Sequence, residues 1–356
     1  MQPLFKLENK PAIDALYDAQ RLAFAPIVFQ AIRALRDLGV LRALQDAGEG
    51  GLSVDEVAGT VGLAEYGVRV LLESGMSAGV VACPNGRHTL TKTGFLVLND
   101  PMTRANMDYN HYLCYQGLYY LDEAIKSGKP SGLKTFGEWD TIYPGLTKLP
   151  SDARESWFTF NHFYSDRAFR DALPLVLSDQ PMRLLDIGGN TGRWAIACAE
   201  FSSQVSVTIA DLPGQLAVAR EAVAEASLTD RISCLEVDML EPGVSLPGGY
   251  DVIWMSQFLD CFGPEDIIRL LALAARSLDQ HTRLYILEPL CDRQQHEMGA
   301  YCLVNTSLYF TCMANGKSRM YHSEDLHQFV QRAGLTVVQE WDDLGICHTL
   351  LDCRKI

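Results

Sequence analysis

The chain has 356 residues and a formal net charge of −14, with 48% hydrophobic and 21% charged residues. This length and composition can supply more than one ordinary core, so the chain is neither a disordered tail nor a single small domain. The acidic balance argues against general nucleic-acid binding and against docking on anionic membranes, because both need clustered lysine and arginine.

The ten cysteines are scattered along the chain, and no two of them form a Cys-x-x-Cys pair. The first residues lack the long apolar run of a secretory signal, and no segment approaches the roughly 18 apolar residues of a membrane span. We therefore expect reduced thiols that mostly fill cores. A cytoplasmic protein with no metal, no membrane partner and no nucleic-acid partner is the simplest interpretation.

The first hundred residues are predicted to form helices followed by a hairpin. Pro26 is predicted to open an apolar-periodic helix. Ser53 and Glu56 have capping-box spacing ahead of a short helix, and a third helix follows it. Asn85-Gly86 stands between two short β-rich runs, which is a strong hairpin signal. Three helices and a hairpin predict a winged-helix layout.

The winged-helix layout raises one alternative function, a transcription regulator. The segment in the place of a recognition helix, EYGVRVLLESG, has one arginine against two glutamates and is mostly apolar. A helix that enters a major groove needs donors for phosphates and base edges. We therefore expect this domain to bind a second copy of the chain, forming a homodimer, and not to bind DNA.

The rest of the chain changes pattern twice. Residues 101–175 contain aromatic-rich helical stretches separated by a proline-marked loop. From 176 to 356, short β-rich runs alternate with helical segments, which predicts a doubly wound, mostly parallel sheet in an α/β domain. The final runs TVVQEW and CHTLLDC predict an antiparallel hairpin that closes the sheet edge. With residues 1–100, the predicted organisation therefore has three parts.

A glycine-rich turn, Asp186 to Gly192, follows the first strand of the α/β part. Such a turn lets a ligand approach the backbone at the carboxyl end of a parallel sheet. The dinucleotide fingerprint fails, because Ile187 stands where its first glycine is required. Asp211 ends the second strand and could accept hydrogen bonds from ribose hydroxyls. Asp238-Met239 follows the third strand, where the Asp could meet an adenine amino group and the Met could pack on the ring.

With these motifs the chain resembles a known family, the class I S-adenosylmethionine (SAM)-dependent O-methyltransferases of plant phenolic and bacterial secondary metabolism. The likeness spans nearly the whole chain. It includes the winged-helix domain, Phe136-Gly137-Glu138-Trp139, Asn315-Gly316-Lys317, and the phrases LLDIGGNTG, ADLPG and EVDMLEP. The resemblance implies a Rossmann-like methyltransferase fold with a seven-stranded sheet, a homodimer and a small-molecule, aromatic acceptor. It also implies SAM as cofactor and S-adenosylhomocysteine as product.

The resemblance carries over to a set of cofactor-binding positions. Asp186 and the glycines would hold the methionine part of SAM, Asp211 the ribose, and Asp238 with Met239 the adenine. Asn190 stands where the family has a glycine, and asparagine tolerates a left-handed backbone. The full set is Asp186, Gly188, Gly189, Asn190, Asp211, Leu212, Asp238, Met239 and Ser256.

The catalytic segment departs from the family pattern. Family members carry a lysine and, four residues later, a histidine that takes the acceptor's proton and is oriented by two glutamates. Here Ser256 and Asp260 stand at those two positions, Glu288 keeps the first glutamate, and Ser318 replaces the second. Asp260 with Glu288 is one candidate base, since neighbouring carboxylates resist joint ionisation. The alternatives are that Asp260 is a helix-cap or loop residue, or that His162 is the base.

Aromatic and thioether side chains are predicted to stack on a flat acceptor, although most of them also fit a core. The predicted pocket residues are Phe160, Tyr164, Phe258, Tyr309 and Met313. Three functions stay open: methyl transfer to the oxygen of a phenol-like metabolite, which is favoured; methyl transfer to an aromatic or activated carbon; and a SAM-binding relative that no longer methylates.

Overall fold

The computed structural model describes residues 9–356. The chain divides into two compact units, one that ends at Asn110 and one that begins at His111. The division falls inside the second of the three predicted parts. None of the helices in the described residues is long and apolar enough to cross a membrane.

The N-terminal unit is built from helices and one small hairpin. Its helices are α1 (Ala12–Asp37), α2 (Val40–Ala47), α3 (Val54–Val61), α4 (Glu65–Ser77), α5 (Lys92–Asn99) and α6 (Pro101–Asp108). Strands β1 (Val81–Ala82) and β2 (Thr89–Leu90) pair antiparallel, which confirms the predicted hairpin. Leucines and valines from α1 to α4 form a single buried core, including Leu35, Leu41, Leu44, Val57 and Leu72.

Two local signals in this unit are confirmed and one prediction is wrong. Glu56 Oε2 accepts the Ser53 backbone N–H at 2.8 Å, and Ser53 Oγ accepts the Glu56 N–H at 3.4 Å, which completes the capping box. Asn85 has φ 53° and Gly86 φ 75°, so both take left-handed conformations in the loop of about six residues between the paired Ala82 and Thr89. Pro26, however, lies inside α1 and does not open it. The segment ahead of it is rich in alanine and leucine, strong helix formers that carry the helix across the missing N–H donor.

The C-terminal unit is a seven-stranded sheet with helices on both faces. The helices are α7 (Leu121–Ser127), α8 (Ser151–Val176), α9 (Arg193–Phe201), α10 (Pro213–Glu225), α11 (Pro264–Ser277), α12 (Glu297–Tyr309) and α13 (Ser323–Arg332). The strands are β3 (Arg183–Ile187), β4 (Ser206–Asp211), β5 (Ile232–Glu236), β6 (Val252–Ser256), β7 (Arg283–Pro289), β8 (Leu335–Leu344) and β9 (His348–Lys355).

The strand order is β5-β4-β3-β6-β7-β9-β8, with β3 to β7 parallel and β9 antiparallel to both of its neighbours. The predicted doubly wound sheet and the predicted C-terminal hairpin are therefore confirmed. The last strand of the chain inserts between β7 and β8, so that β8 forms the edge. The first strand of this unit, β3, is an interior strand with β4 and β6 as its neighbours, so the glycine turn lies between the ends of those two strands.

Each face of the sheet carries its own hydrophobic core. On one face Trp194 of α9 stacks on Trp254 of β6, with ring centroids 3.9 Å apart and planes 10° from parallel. All ten cysteines are free, and five of them are buried. Because β3 to β7 run parallel, their carboxyl ends meet at one edge of the sheet, where a ligand site is expected.

Candidate active site

The turn after β3 has a backbone that only small residues or asparagine adopt easily. Gly188 has φ +74°, Asn190 φ +50° and Gly192 φ +77°. A Cβ atom added at Gly188 would lie 2.3 Å from Cδ2 of the Phe258 ring, and one at Gly189 would lie 2.5 Å from Asp186 Oδ2. The two glycines are therefore required both by close packing and, at Gly188, by conformation.

Asp211, at the end of β4, connects the glycine turn to the neighbouring strand. Its carboxylate accepts the backbone N–H groups of Asn190 at 2.8 Å and Leu212 at 2.7 Å. Burial raises its pKa, and these two hydrogen bonds oppose that rise. A carboxylate has about four lone-pair positions. Asp211 thus keeps acceptor capacity for a ligand beside the turn, as the ribose prediction requires.

Asp186 lies beneath the turn with no partner for one of its oxygens. The residue is 2% exposed, and Oδ2 is buried without a hydrogen bond. Burial raises the pKa of this carboxyl well above its ordinary value, and the nearby Asp211 charge adds to the rise. An unpaired buried carboxylate is costly. A cationic group delivered to the turn would compensate that cost.

The predicted adenine residues lie after β5. Asp238 is exposed, and its Oδ1 accepts the Leu240 N–H at 2.8 Å, as in a simple turn. Met239 is buried in the hydrophobic core on one face of the sheet. The adenine contacts of both residues stay predictions.

Asp260 and Glu288 are brought together at the ends of β6 and β7. They are 5% and 3% exposed, respectively. Glu288 Oε1 accepts the backbone N–H groups of Phe258 at 2.9 Å and Leu259 at 2.8 Å, while Oε2 is buried without a partner. Burial raises the pKa of Asp260 to about 6. It also raises that of Glu288 well above its usual range, and the Asp260 charge raises it further. We call these two residues the carboxylate dyad.

Asp260 is not a helix cap. It lies in a short 3-10 turn, Leu259–Cys261, while α11 begins at Pro264 after Gly263. The Cys261 thiol donates a hydrogen bond to Asp260 Oδ1 at 3.4 Å. The cap interpretation from the sequence is therefore wrong. A fully buried carboxylate beside another carboxylate is also unusual for a plain loop residue.

His162, the other predicted base, lies on α8 against the glycine turn. Its Nε2 is 3.2 Å from Thr191 Oγ1. Burial lowers its pKa to about 4, and the Arg193 charge contributes, so the ring is neutral at pH 7. In the described part of the chain, no hydrogen bond or ion pair joins His162 to the dyad. Its catalytic role stays a prediction, and its position favours contact with the turn.

The predicted pocket residues fall into two groups. Phe160, Tyr164 and Phe258 are half-buried; the first two pack together at 5.1 Å between ring centroids. Tyr309 and Met313 are buried. The Tyr309 hydroxyl accepts the Trp157 indole N–H at 2.9 Å, and Met313 lies against Gly117 and Gly132. The first group is therefore more accessible to a ligand.

A polar network that the sequence did not predict is centred on Asn315. Its Nδ2 is 2.8 Å from Ser318 Oγ, 2.9 Å from the Cys261 carbonyl oxygen and 3.2 Å from the Tyr143 hydroxyl. Its Oδ1 accepts two backbone N–H groups of the following turn. The network connects the Tyr143 segment with the turn that carries Asp260. The Asn-Gly-Lys phrase was a signal for Asn315, but nothing in the sequence pointed to Tyr143.

The residues at the carboxyl edge fit a cofactor of the kind that the resemblance implies. Asp186 Oδ2 and Ser256 Oγ are buried and unpartnered, which suits a ligand that supplies the missing donors. Gly188 and Gly189 have no side chains, and Phe258 and Asp186 pack closely against the turn at these two positions. Among residues 9–356, no cluster of three or more histidine, cysteine or acidic side chains is arranged to hold a metal ion.

Two family models match the chain: a methyltransferase domain over residues 160–340 and a dimerisation2-like domain over residues 17–88. The chain is 24% identical to an L-tyrosine C(3)-methyltransferase of Streptomyces lavendulae, over 91% of this chain and 88% of that protein. It is 25% identical to a demethylspheroidene O-methyltransferase of Rhodobacter capsulatus, over 95% and 81%.

The fold is likewise that of a solved relative. The crystal structure of the S-adenosylmethionine-dependent methyltransferase SibL in its apo form superposes with a TM-score of 0.74 at 24% identity, covering 96% of this chain and 99% of that one. Sheet order, glycine turn and family models agree. The chain belongs to the class I SAM-dependent methyltransferases of bacterial secondary metabolism, in the group with an N-terminal dimerisation domain.

Proposed function

We propose that the protein transfers the methyl group of SAM to the hydroxyl oxygen of a small, phenol-like metabolite. The observation that carries this proposal is the buried carboxylate dyad at the carboxyl edge of the sheet, next to the glycine turn. SAM, when bound, supplies an electrophilic methyl group on a sulfonium. Asp186, Asp211 and the glycine turn would hold it, and α8 with Phe258 would position the aromatic acceptor.

The dyad would act as the base that takes the acceptor's proton. Two adjacent buried carboxyls share one proton more readily than they ionise together. The Asp260 pKa of about 6 is closer to that of a phenol than the pKa of an exposed aspartate would be. General-base assistance of this kind contributes about 10²–10⁴ in rate. Positioning of the acceptor in line with the methyl group would provide the rest of the rate enhancement.

Methyl transfer to a ring carbon is the second candidate. One relative is named an L-tyrosine C(3)-methyltransferase, and the family histidine is absent at Asp260. A phenolate carries negative charge on its oxygen and on its ortho carbons. The dyad could therefore serve either reaction, and the atom that lies in line with the methyl group would decide the product.

The test is incubation of the protein with methyl-labelled SAM and a panel of phenols, followed by mass spectrometry. A labelled methoxy product supports oxygen methylation, and a labelled ring methyl supports carbon methylation. Labelled SAM that binds but yields neither product across the panel would leave a SAM-binding relative that no longer methylates.

Asp211→Ala is expected to weaken SAM binding by about 1.5–3 kcal/mol, or roughly 10- to 150-fold, because charge-assisted hydrogen bonds to the ribose are lost. Isothermal titration calorimetry measures the change. Asp230→Ala, which removes an exposed acid before β5, is a suitable control and should leave affinity unchanged. Equal affinity in wild type and Asp211→Ala would exclude the ribose role.

We also propose a homodimer formed by the N-terminal domain. Helix α1 exposes a series of large apolar side chains that a lone domain would leave in water: Ile13, Leu16, Tyr17, Leu22, Phe24 and Ile27. Surfaces of this kind mark protein–protein contacts. Light scattering at micromolar concentration should give twice the chain mass, and Leu22→Asp with Ile27→Asp should shift it toward one. A monomer mass for wild type would contradict the proposal.

A further inference from the structure

The deeply buried carboxylates of the C-terminal unit fall into two classes. Asp352, 3% exposed, lies 3.6 Å from Arg283 and 3.3 Å from Arg354, and these two arginines oppose the rise in its pKa that burial causes. Asp186, Asp260 and Glu288 are buried just as deeply, yet no ion pair among the described residues includes them. The fold therefore neutralises a structural acid with arginines but leaves the acids of the proposed site uncompensated.

The side chains around the dyad are polar but uncharged. The Tyr143 hydroxyl and Asn315 Nδ2 both contact the Cys261 carbonyl oxygen, one residue from Asp260. Ser318 Oγ lies 2.8 Å from Asn315 Nδ2. Burial raises the pKa of Tyr309 well above its usual range, and the charges of neighbouring groups, Asp260 among them, add to the rise. Five polar residues without a formal charge therefore lie in this part of the site: Tyr143, Cys261, Tyr309, Asn315 and Ser318.

Two cationic residues flank Ser318 in the sequence, and neither compensates the negative charge of the dyad. Lys317, next to Ser318, is exposed to solvent. Arg319 is exposed and forms an ion pair with Asp325 at 2.7 Å. Burial raises the pKa of Asp260 and the Cys261 hydrogen bond lowers it, and neither effect comes from a cation. Among the described residues, no ion pair brings a positive side chain to Asp260 or Glu288, so the acceptor end of the site is acidic.

We propose that this pocket selects acceptors that are uncharged next to the reacting hydroxyl and rejects aromatic acids that carry a carboxylate beside it. This inference rests on the proposed methyl transfer to a hydroxyarene. A neutral hydroxyl can donate a hydrogen bond to the dyad, and an uncharged group beside it adds no like charge. A carboxylate in the same place is repelled by the negative charge of the dyad, and the repulsion is strong in a buried site. Among the described residues, no arginine is placed to bind that carboxylate through two hydrogen bonds.

The test compares matched acceptors by equilibrium binding, so that turnover is not needed. Salicylamide and salicylate are similar in size, but the group beside the hydroxyl is neutral in the first and anionic in the second, whereas 4-hydroxybenzamide and 4-hydroxybenzoate carry the same pair of groups on the far side of the ring. Each is titrated at pH 7 into protein saturated with S-adenosylhomocysteine. We expect salicylamide to bind at least about 30-fold more tightly than salicylate, and the para pair to differ less.

Charge-removing variants locate the source of the discrimination. Glu288→Gln keeps an oxygen for the Phe258 and Leu259 N–H groups, and Asp260→Asn keeps the side-chain shape. Each substitution should lower the ratio of the affinities for salicylamide and salicylate toward the ratio measured for the para pair. Glu324→Gln, which removes one exposed charge from the first turn of α13, is the matched control and should leave the ratio unchanged.

The outcomes separate this inference from the proposed function. Equal binding of salicylamide and salicylate to wild type, with phenols still methylated, overturns the charge selection and leaves methyl transfer standing. A ratio that persists unchanged in both Glu288→Gln and Asp260→Asn also overturns it, because the dyad would not be its source. No binding by any hydroxyarene and no methylated product would reject the proposed function, and the inference with it.

Discussion

Asp260→Asn is expected to lower turnover by about 100-fold or more while leaving SAM affinity nearly unchanged. The substitution keeps the size and shape of the side chain, but an amide cannot take a proton from the acceptor. The glycine turn follows β3 and, among the described residues, makes no hydrogen bond to Asp260, so binding of SAM should persist. Single-turnover kinetics and calorimetry on the same preparation measure the two quantities.

The same variant should be more stable than wild type at alkaline pH. The folded-state pKa of Asp260 is raised from 3.8 to about 6 by burial, so folding favours the protonated form. Its favourable contribution is complete below pH 3.8 and is lost as the pH rises through 6. At pH 8 the charge therefore costs free energy, at most about 3 kcal/mol, and asparagine avoids that cost.

Thermal unfolding at pH 8 and pH 4 tests whether the substitution stabilises the fold at the higher pH only. We expect Asp260→Asn to raise the melting temperature at pH 8 and to change it little at pH 4, with turnover lost. Wild-type turnover together with a lower melting temperature at pH 8 would make Asp260 a structural residue. His162, or positioning without a protein base, would then be the better account.

Two further measurements sharpen the assignment of the base. The pH dependence of turnover should report Asp260 and Glu288 as a coupled pair and not as two independent groups. Asp260→His restores the residue found in the family. It should support oxygen methylation if the pocket presents a hydroxyl to the methyl group, and it should give no gain if the acceptor atom is carbon.

Gly188→Ala is expected to abolish measurable SAM binding, with a loss of at least about 100-fold. Gly188 has φ +74°, where an alanine costs roughly 1–2 kcal/mol. Its Cβ would also lie 2.3 Å from the Phe258 ring, and relief of such overpacking costs about 1–3 kcal/mol. Both effects would displace the glycine turn, which we propose holds the cofactor. Calorimetric titration with SAM measures the loss.

Gly214→Ala provides the matched control. Gly214 lies in the first turn of α10, near Asp211, and a Cβ there has no neighbour within 4 Å. Alanine favours a helix more than glycine does. We expect unchanged SAM affinity and equal or slightly higher stability. A Gly188→Ala protein that binds SAM like wild type would mean that the turn adapts easily and that the cofactor does not depend on this close packing.

Elements with local signals could be predicted from the amino-acid sequence. Each parallel strand was a short β-rich run because both faces of such a sheet are buried. The glycine turn, the capping box at Ser53 and the hairpin at Asn85-Gly86 were predictable, since each depends on backbone conformations that few residues adopt. Asp211 was predictable as well, because a residue at the end of a parallel strand lies at the ligand edge.

Contacts between distant residues depend on how the separate elements pack together. Asp260 joins Glu288 because the backbone N–H groups of Phe258 and Leu259 bind a carboxylate from β7, and no spacing rule encodes that contact. The Asn315–Tyr143 contact spans 172 residues. The insertion of β9 between β7 and β8 likewise has no local signal. These contacts arise from packing among separate elements, where burial removes water and so determines the charge state and partners of each group.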